Sequence, residues 1–272
     1  MKISPLVTYL IMLLTLPSIN AQETTYHCLW ENCGYQPGEK VYVFGNDVKL
    51  RTAPNTDSTV LQLLKIGEWV EILEITAASW PYQGFDSPFY KVRYDDMTGY
   101  IIGGLLALER KTLNGENYFF AYAKEGEHIF LNIRKVANGL YSEYQVALAN
   151  TTFGIETYDD KGLNGLDGIL FIDYYAEACG SNGGGIYFFV QNDELLKVAQ
   201  LTEASDSGLY WYAEKFIFPN DEGGIPKKIL YKKEKGEVYD EDSNWIVSSS
   251  ETRELRWIDG KLSPNYNEKI TN

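Results

Sequence analysis

Cys179 and His128 are the ingredients for nucleophilic catalysis, in which an imidazole takes the proton of an attacking thiol. Cys179 sits in Glu177-Ala-Cys-Gly180, at the expected end of a strand before a Gly-rich turn. The chain has two histidines, His27 and His128, and both precede that thiol. One imidazole would have to serve every serine triad as well, and the sequence has no Gly-x-Ser-x-Gly elbow. A small half-buried thiol, or a disulfide partner, is the plainer account of Cys179. Glycoside hydrolysis needs only two carboxylates, but 38 acids in 272 residues guarantee that some pair lies within reach, so abundance carries no information. Neither enzyme activity nor a cofactor is expected.

Hard-cation chemistry has two candidate loops. Asp240-Glu-Asp242-Ser-Asn244 sets oxygen donors at alternate positions, as calcium loops do, but Trp245 stands where such a loop needs Gly and the closing acid is displaced to Glu251. Asp159 to Asp167 is a second acidic turn, and solvated turns account for both, so no metal is expected. Gly183-Gly-Gly185 is followed by Ile186-Tyr-Phe-Phe-Val190, a strand and not the helix of a phosphate loop, so these glycines are expected to form a wide turn. His27, Cys28 and Cys33 offer three donors to zinc, with no second pair to complete a tetrahedron. Three cysteines allow three pairings for one bond. Cys28 with Cys33 across a tight loop is preferred, while a bridge to Cys179 would tie the two halves of the chain together.

Aromatic side chains offer a different chemistry. Trp80, Pro81, Tyr82, Phe85 and Phe89 crowd the segment from Ile75 to Phe89. Exposed rings stack on sugar faces or peptide prolines, and an acidic surround holds cationic amines. The same rings can equally fold back and cap the domain that carries them.

The elements that must position these groups are strands. Aromatics make up 14% of the chain, with 21 Tyr and 6 Trp against 3 Met, a composition suited to half-buried pleated surfaces. From Glu39 to about Leu108 short runs alternate with turn signals: Val41–Phe44, Val48–Arg51, Val60–Ile66, Trp69–Ile75, Tyr90–Tyr94 and Thr98–Ile102. Five or six short strands in such a stretch describe a small barrel. Residues 109–262 carry eight or more further strands. Asn114-Gly115, Asn138-Gly139, Asn164-Gly165 and Asp259-Gly260 mark turns between them, with at most two helical turns near Asp193 to Leu201. The fold class is therefore all-β, a small barrel followed by a larger antiparallel domain and a tail from residue 263.

Residues 1–21 show one charge at Lys2, an apolar run from Leu6 to Leu16 and an Ile19-Asn20-Ala21 end, the pattern of a cleaved signal peptide. The run is too short to span a membrane. A secreted or periplasmic chain is expected, with a Cys-containing segment at 22–38. The net charge of −14 repels phosphate backbones, and no basic run of the needed density reverses it, so nucleic acid is excluded as a partner.

Val48-Lys-Leu-Arg51, Pro54, Ser58, Gly67, Val70, Ile72, Tyr90-Lys-Val92 and Thr98-Gly-Tyr-Ile101 together resemble a bacterial Src homology 3 (SH3-like) domain over residues 39–108. Lys49 replaces the family's usual Asn, Tyr90 its usual Trp, and the stretch from Ile75 to Phe89 is longer than most members carry. The resemblance implies recognition of a cell-envelope glycan or peptide such as peptidoglycan, with Trp80, Tyr82 and Phe85 joined by Tyr90, Tyr94 and Tyr100 of the family's groove. It also implies an alternative, a targeting module on a cell-wall hydrolase; open sheet edges that could take a partner strand offer another, a scaffold for a protein partner. Wall peptidases that accompany such modules place Cys before His, the reverse of the order here.

Overall fold

A computed structural model describes residues 25–29, 33–176, 182–206, 209–240 and 245–268. The expected signal segment 1–21, Cys179 and residues 241–244 of the Asp240 loop lie outside the described residues. Strand β1 (Tyr26–His27) is followed by β2 (Lys40–Tyr42), β3 (Val48–Arg51), β4 (Val60–Leu64), β5 (Trp69–Tyr82), β6 (Phe85–Tyr94) and β7 (Met97–Ile102). The last six form an antiparallel sheet in the order β2-β5-β6-β7-β3-β4. Its inner face is the barrel core, where Leu50, Leu64, Val70, Ile72, Val92 and Ile101 are buried. Burial of these aliphatic faces, worth about 1.5–3 kcal/mol per side chain, is what closes the sheet. A 3-10 turn at Gly103–Leu105 ends the barrel.

The larger half is two sheets face to face. β8 (Arg110–Leu113), β9 (Glu116–Glu125), β10 (His128–Ala137) and β11 (Leu140–Ala147) form a four-stranded meander. β12 (Phe153–Tyr158), β13 (Gly168–Tyr174), β14 (Gly183–Gln191), β15 (Glu194–Asp206), β16 (Tyr210–Ile217), β17 (Ile229–Asp240), β18 (Trp245–Ile258) and β19 (Lys261–Ser263) form a nine-stranded sheet with β1 on its edge. Phe120, Leu131 and Ile133 of the small sheet meet Ile155, Ile172 and Phe188 of the large one in a shared core. Beyond the small sheet the large one curls on itself around Phe189, Phe216, Tyr231 and Leu255.

Asn114-Gly115, Asn138-Gly139 and Asp259-Gly260 are two-residue hairpin turns with both φ positive, as their types predict. Three expectations are corrected. The helical turns near Asp193 to Leu201 are strand β15, because Asn192 and Asp193 both take positive φ and make a hairpin turn without glycine. Gly183–Gly185 is not a wide turn but the start of β14, paired to β15. A Cβ on Gly185 would stand 2.2 Å from the Ile172 carbonyl oxygen, so glycine there answers a close approach of strands. The stretch from Ile75 to Phe89 is not a loop: β5 and β6 run through it as one long hairpin, hereafter the arm.

Candidate functional site

The arm is aimed by glycines. Its turn, Gln83-Gly84, has φ of 50° and 79°, and Gln83 O accepts a hydrogen bond from Lys124 N of β9 at 2.8 Å. The barrel's own hairpin therefore reaches the neighbouring sheet. At its base, a Cβ on Gly103 would meet the Tyr90 ring at 2.6 Å and one on Gly104 the Tyr82 ring at 2.7 Å. The 3-10 turn is thus bare where the arm lies across it, and Gly104 N donates to Ser87 Oγ at 2.7 Å.

Beneath the arm lies a cleft of about 460 Å³. Tyr82, Phe85, Asp86 and Tyr90 line it from the arm, and Tyr122 from β9. The disulfide Cys28–Cys33 and Tyr35 close the remaining side. Tyr35 stands edge-on to Tyr90, ring centroids 5.3 Å apart, and its hydroxyl donates to Leu106 O at 3.2 Å. Burial pushes the Tyr35, Tyr90 and Tyr122 phenols up from their ordinary range, so all three are neutral at physiological pH. Asp86 is exposed at the rim. The cleft combines apolar ring faces, neutral phenols and one carboxylate, a set suited to an apolar or sugar-like body with a cationic group at one end.

The six residues expected to bind do not form one site. Tyr82, Phe85 and Tyr90 share the cleft. Tyr90 is also 3% exposed and part of the barrel core, so it offers the cleft little surface. Trp80, 46% exposed, lines a separate recess of about 230 Å³ that Tyr82 also touches. Tyr94 packs on the barrel core and donates to Glu68 Oε1 at 3.0 Å, and Tyr100 pairs with Lys91 on the neighbouring strand. Tyr35 and Tyr122, far apart in sequence, were not legible as cleft residues; Gly103-Gly104 was the available signal, two bare residues beside an aromatic run.

Residues 46–107 match the model of the bacterial SH3 domain family. That segment is a bacterial SH3 domain. No curated protein and no solved structure is matched by the chain. The matched segment contains the whole arm, so three of the cleft's aromatics belong to the SH3 domain while Tyr35 and Tyr122 come from outside it.

The other chemistries are placed as follows. Cys28 and Cys33 are joined to each other, and His27 Nε2 lies 3.0 Å from Glu109 Oε1. His128 is exposed at the start of β10. No group of three or more metal-ligating side chains occurs among the described residues.

One pair of acids shares a face of the large sheet. Glu156 opposes Phe171 and Gly154 opposes Asp173 in the β12–β13 ladder, which makes Glu156 and Asp173 diagonal neighbours. Burial first, then the Glu156 charge, pushes the Asp173 carboxyl up to about 6; Glu203 adds to the rise and a hydrogen bond with Tyr26 opposes it. The folded carboxyl keeps its proton to higher pH than the unfolded one, so the folded state binds more protons between about pH 4 and pH 6, and stability falls as pH rises through that window. Asp173→Asn is expected to abolish this fall and to raise neutral-pH stability by roughly 1–2 kcal/mol, read by denaturant melts at pH 4, 5, 6 and 7. An unchanged pH profile in the variant would refute the assignment.

Proposed function

We propose that this chain is a non-catalytic extracytoplasmic binding protein whose SH3 domain recognises cell-envelope polymer or peptide through the cleft beneath the arm. The observation that carries the reading is the cleft itself, a cavity of about 460 Å³ walled by Tyr82 and Phe85 with Asp86 at its rim. A bacterial SH3 domain suggests a module for cell-wall components or peptides. The disulfide and the signal-like segment 1–21 support an extracytoplasmic setting, and among the described residues no helix is long and apolar enough to cross a membrane. Wall peptides bear free amines, which Asp86 and the negative chain would attract.

The test is co-sedimentation of the chain from Gln22 onward with purified sacculi. The wild type is expected to pellet, and the Tyr82→Ala, Phe85→Ala double variant to lose about tenfold or more in affinity, the scale of a truncated aromatic anchor. Trp80→Ala, in the other recess, is expected to pellet like the wild type. A wild type that stays in the supernatant overturns the reading, and so does soluble wall fragments released by it, which would make the chain a hydrolase.

A further inference from the structure

Strands β15 to β18 run on past the core that Phe216, Tyr231 and Leu255 close, and there the sheet is open to solvent. Trp211 lies on one face of this extension. The ladders align it in a row across four strands: Ser205 of β15 opposes Trp211 of β16, Trp211 opposes Gly236 of β17, and Gly236 opposes Ser248 of β18. Directly opposed residues of an antiparallel pair point to the same side, so the whole row belongs to one face. In the next row toward the strand ends Val238 opposes Ile246, which is 50% exposed. In the next row toward the core Glu203 opposes Ala213, and Ala213 opposes Glu234.

The indole of Trp211 lies flat on the sheet. A Cβ on Gly236 would stand 1.9, 2.1 and 2.3 Å from its Cζ2, Cη2 and Cε2. Cζ2 is the middle one of these consecutive ring atoms, and a point beyond the ring's edge would be far nearer to it than to its neighbours. Gly236 therefore sits under the face of the ring and is buried, although Ser205 and Ser248 at the ends of the row are exposed. The other face of the half-buried indole is turned to solvent. No aromatic ring and no cation lies against it among the described residues, and its N–H has no partner there and is not buried. On the opposite side of the sheet, by contrast, Tyr210 and Tyr212 hold Lys235 and Lys233 over their rings.

We infer that the Trp211 face is a second binding site, a platform for a neutral saccharide chain. A sugar ring presents a flat patch of C–H groups that stacks on an indole in this orientation, and its rim of hydroxyls calls for acceptors beside the stack. The face supplies them: the hydroxyls of Ser205 and Ser248 end the indole's own row, and the carboxylates of Glu203 and Glu234 stand in the row next to it. Glu203 is exposed and has no cation within ion-pair distance among the described residues, so it is free to accept from a sugar hydroxyl. Lys215 and Lys232 stand 4.0 and 3.7 Å from Glu234 and are engaged with it. An anionic polymer would meet the two acids at close range in a chain of net charge −14, which selects for a neutral one. The site is built wholly from the nine-stranded sheet, so it stands whether or not the SH3 cleft binds the wall.

The experiment is calorimetric titration of the chain from Gln22 onward, carrying Tyr82→Ala and Phe85→Ala so that the cleft beneath the arm does not contribute. The probes are chitotetraose, cellotetraose and tetragalacturonate. At least one of the two neutral chains is expected to bind, with tetragalacturonate about tenfold weaker or more. Adding Trp211→Ala is expected to lower the affinity for the neutral chain by about tenfold or more, the scale of a truncated aromatic anchor. Adding Glu203→Ala instead, at an exposed position outside the core, is expected to lower it by about fivefold, the scale of one hydrogen bond, while the protein melts as before. That variant decides the matter if Trp211→Ala disturbs the sheet. Binding of neither neutral chain, tetragalacturonate bound as tightly as the neutral chains, or a neutral chain held with full affinity by the Glu203→Ala protein would each overturn the inference.

Discussion

Gly84→Val is expected to undock the arm and to abolish the cleft with it. Gly84 has φ of 79°, and a Cβ there would stand 2.1 Å from the Lys124 carbonyl oxygen. That neighbour is backbone, paired with Ile129 near the end of β9, and cannot yield as a side-chain tip could. The variant therefore faces a left-handed conformation that a β-branched residue resists, together with loss of the bond between Gln83 O and Lys124 N. The two costs sum to roughly 2–4 kcal/mol against the docked arm, enough to leave it open for most of the time. Amide exchange of residues 79–88 should accelerate, and sacculus binding should fall by more than tenfold. Gly115→Ala is the control: its φ is also positive, 79° at Gly115, but nothing lies within 4 Å of the added atom. It should cost only about 1 kcal/mol and spare binding. Full protection of the arm in Gly84→Val would refute the docking.

What the sequence made legible follows from the range of the interactions involved. The Asn-Gly and Asp-Gly turns were readable because their conformation is decided by two residues. The barrel strands were readable because Val70 and Ile72, or Tyr90 and Val92, alternate with polar neighbours over a half-buried face. Asn192-Asp193 was hidden, since neither residue demands a left-handed conformation and the turn is imposed by the pairing of Gln191 with Glu194. The arm was hidden for a related reason. Register slips between Ile72 and Glu74 and again between Ile75 and Ser79 break the alternation that would have revealed it, so its rings were visible but its shape was not. The cleft lay further out of reach: Tyr35, Tyr82 and Tyr122 meet only after the arm, the disulfide segment and β9 have been brought together, and no local pattern encodes that meeting.

Phe119→Ala is expected to uncouple the two halves of the protein. Strand β9 serves two cores through its alternation: Tyr118 and Phe120 enter the core between the four- and nine-stranded sheets, while Phe119 and Ala121 face Phe44, Ile66 and Ala107 of the barrel side. Phe119 is 2% exposed, stands edge-on to Tyr42 at 5.8 Å, and lies over Gly67, whose added Cβ would meet the ring at 3.1 Å. Truncating a buried phenylalanine costs about 3–5 kcal/mol. Here the loss falls on the contact between the halves, because the side chain belongs to neither of their own cores. The remaining ties include Arg134 Nη1 donating to Phe44 O at 2.7 Å with its guanidinium over the Phe44 ring, Leu108 N to Phe120 O at 2.8 Å, and Lys124 N to Gln83 O of the arm at 2.8 Å, none of which replaces the buried phenyl ring. A calorimetric scan of the variant should therefore split into two transitions, with the SH3 domain melting first. Phe120→Ala, of similar size in the other core, should lower the melting of the larger half without separating it from the barrel. The cleft beneath the arm has walls from both halves, so Phe119→Ala should also weaken sacculus binding even though Phe119 touches no ligand. A single transition shifted by less than about 1 kcal/mol would mean that the halves are held together by something other than this contact.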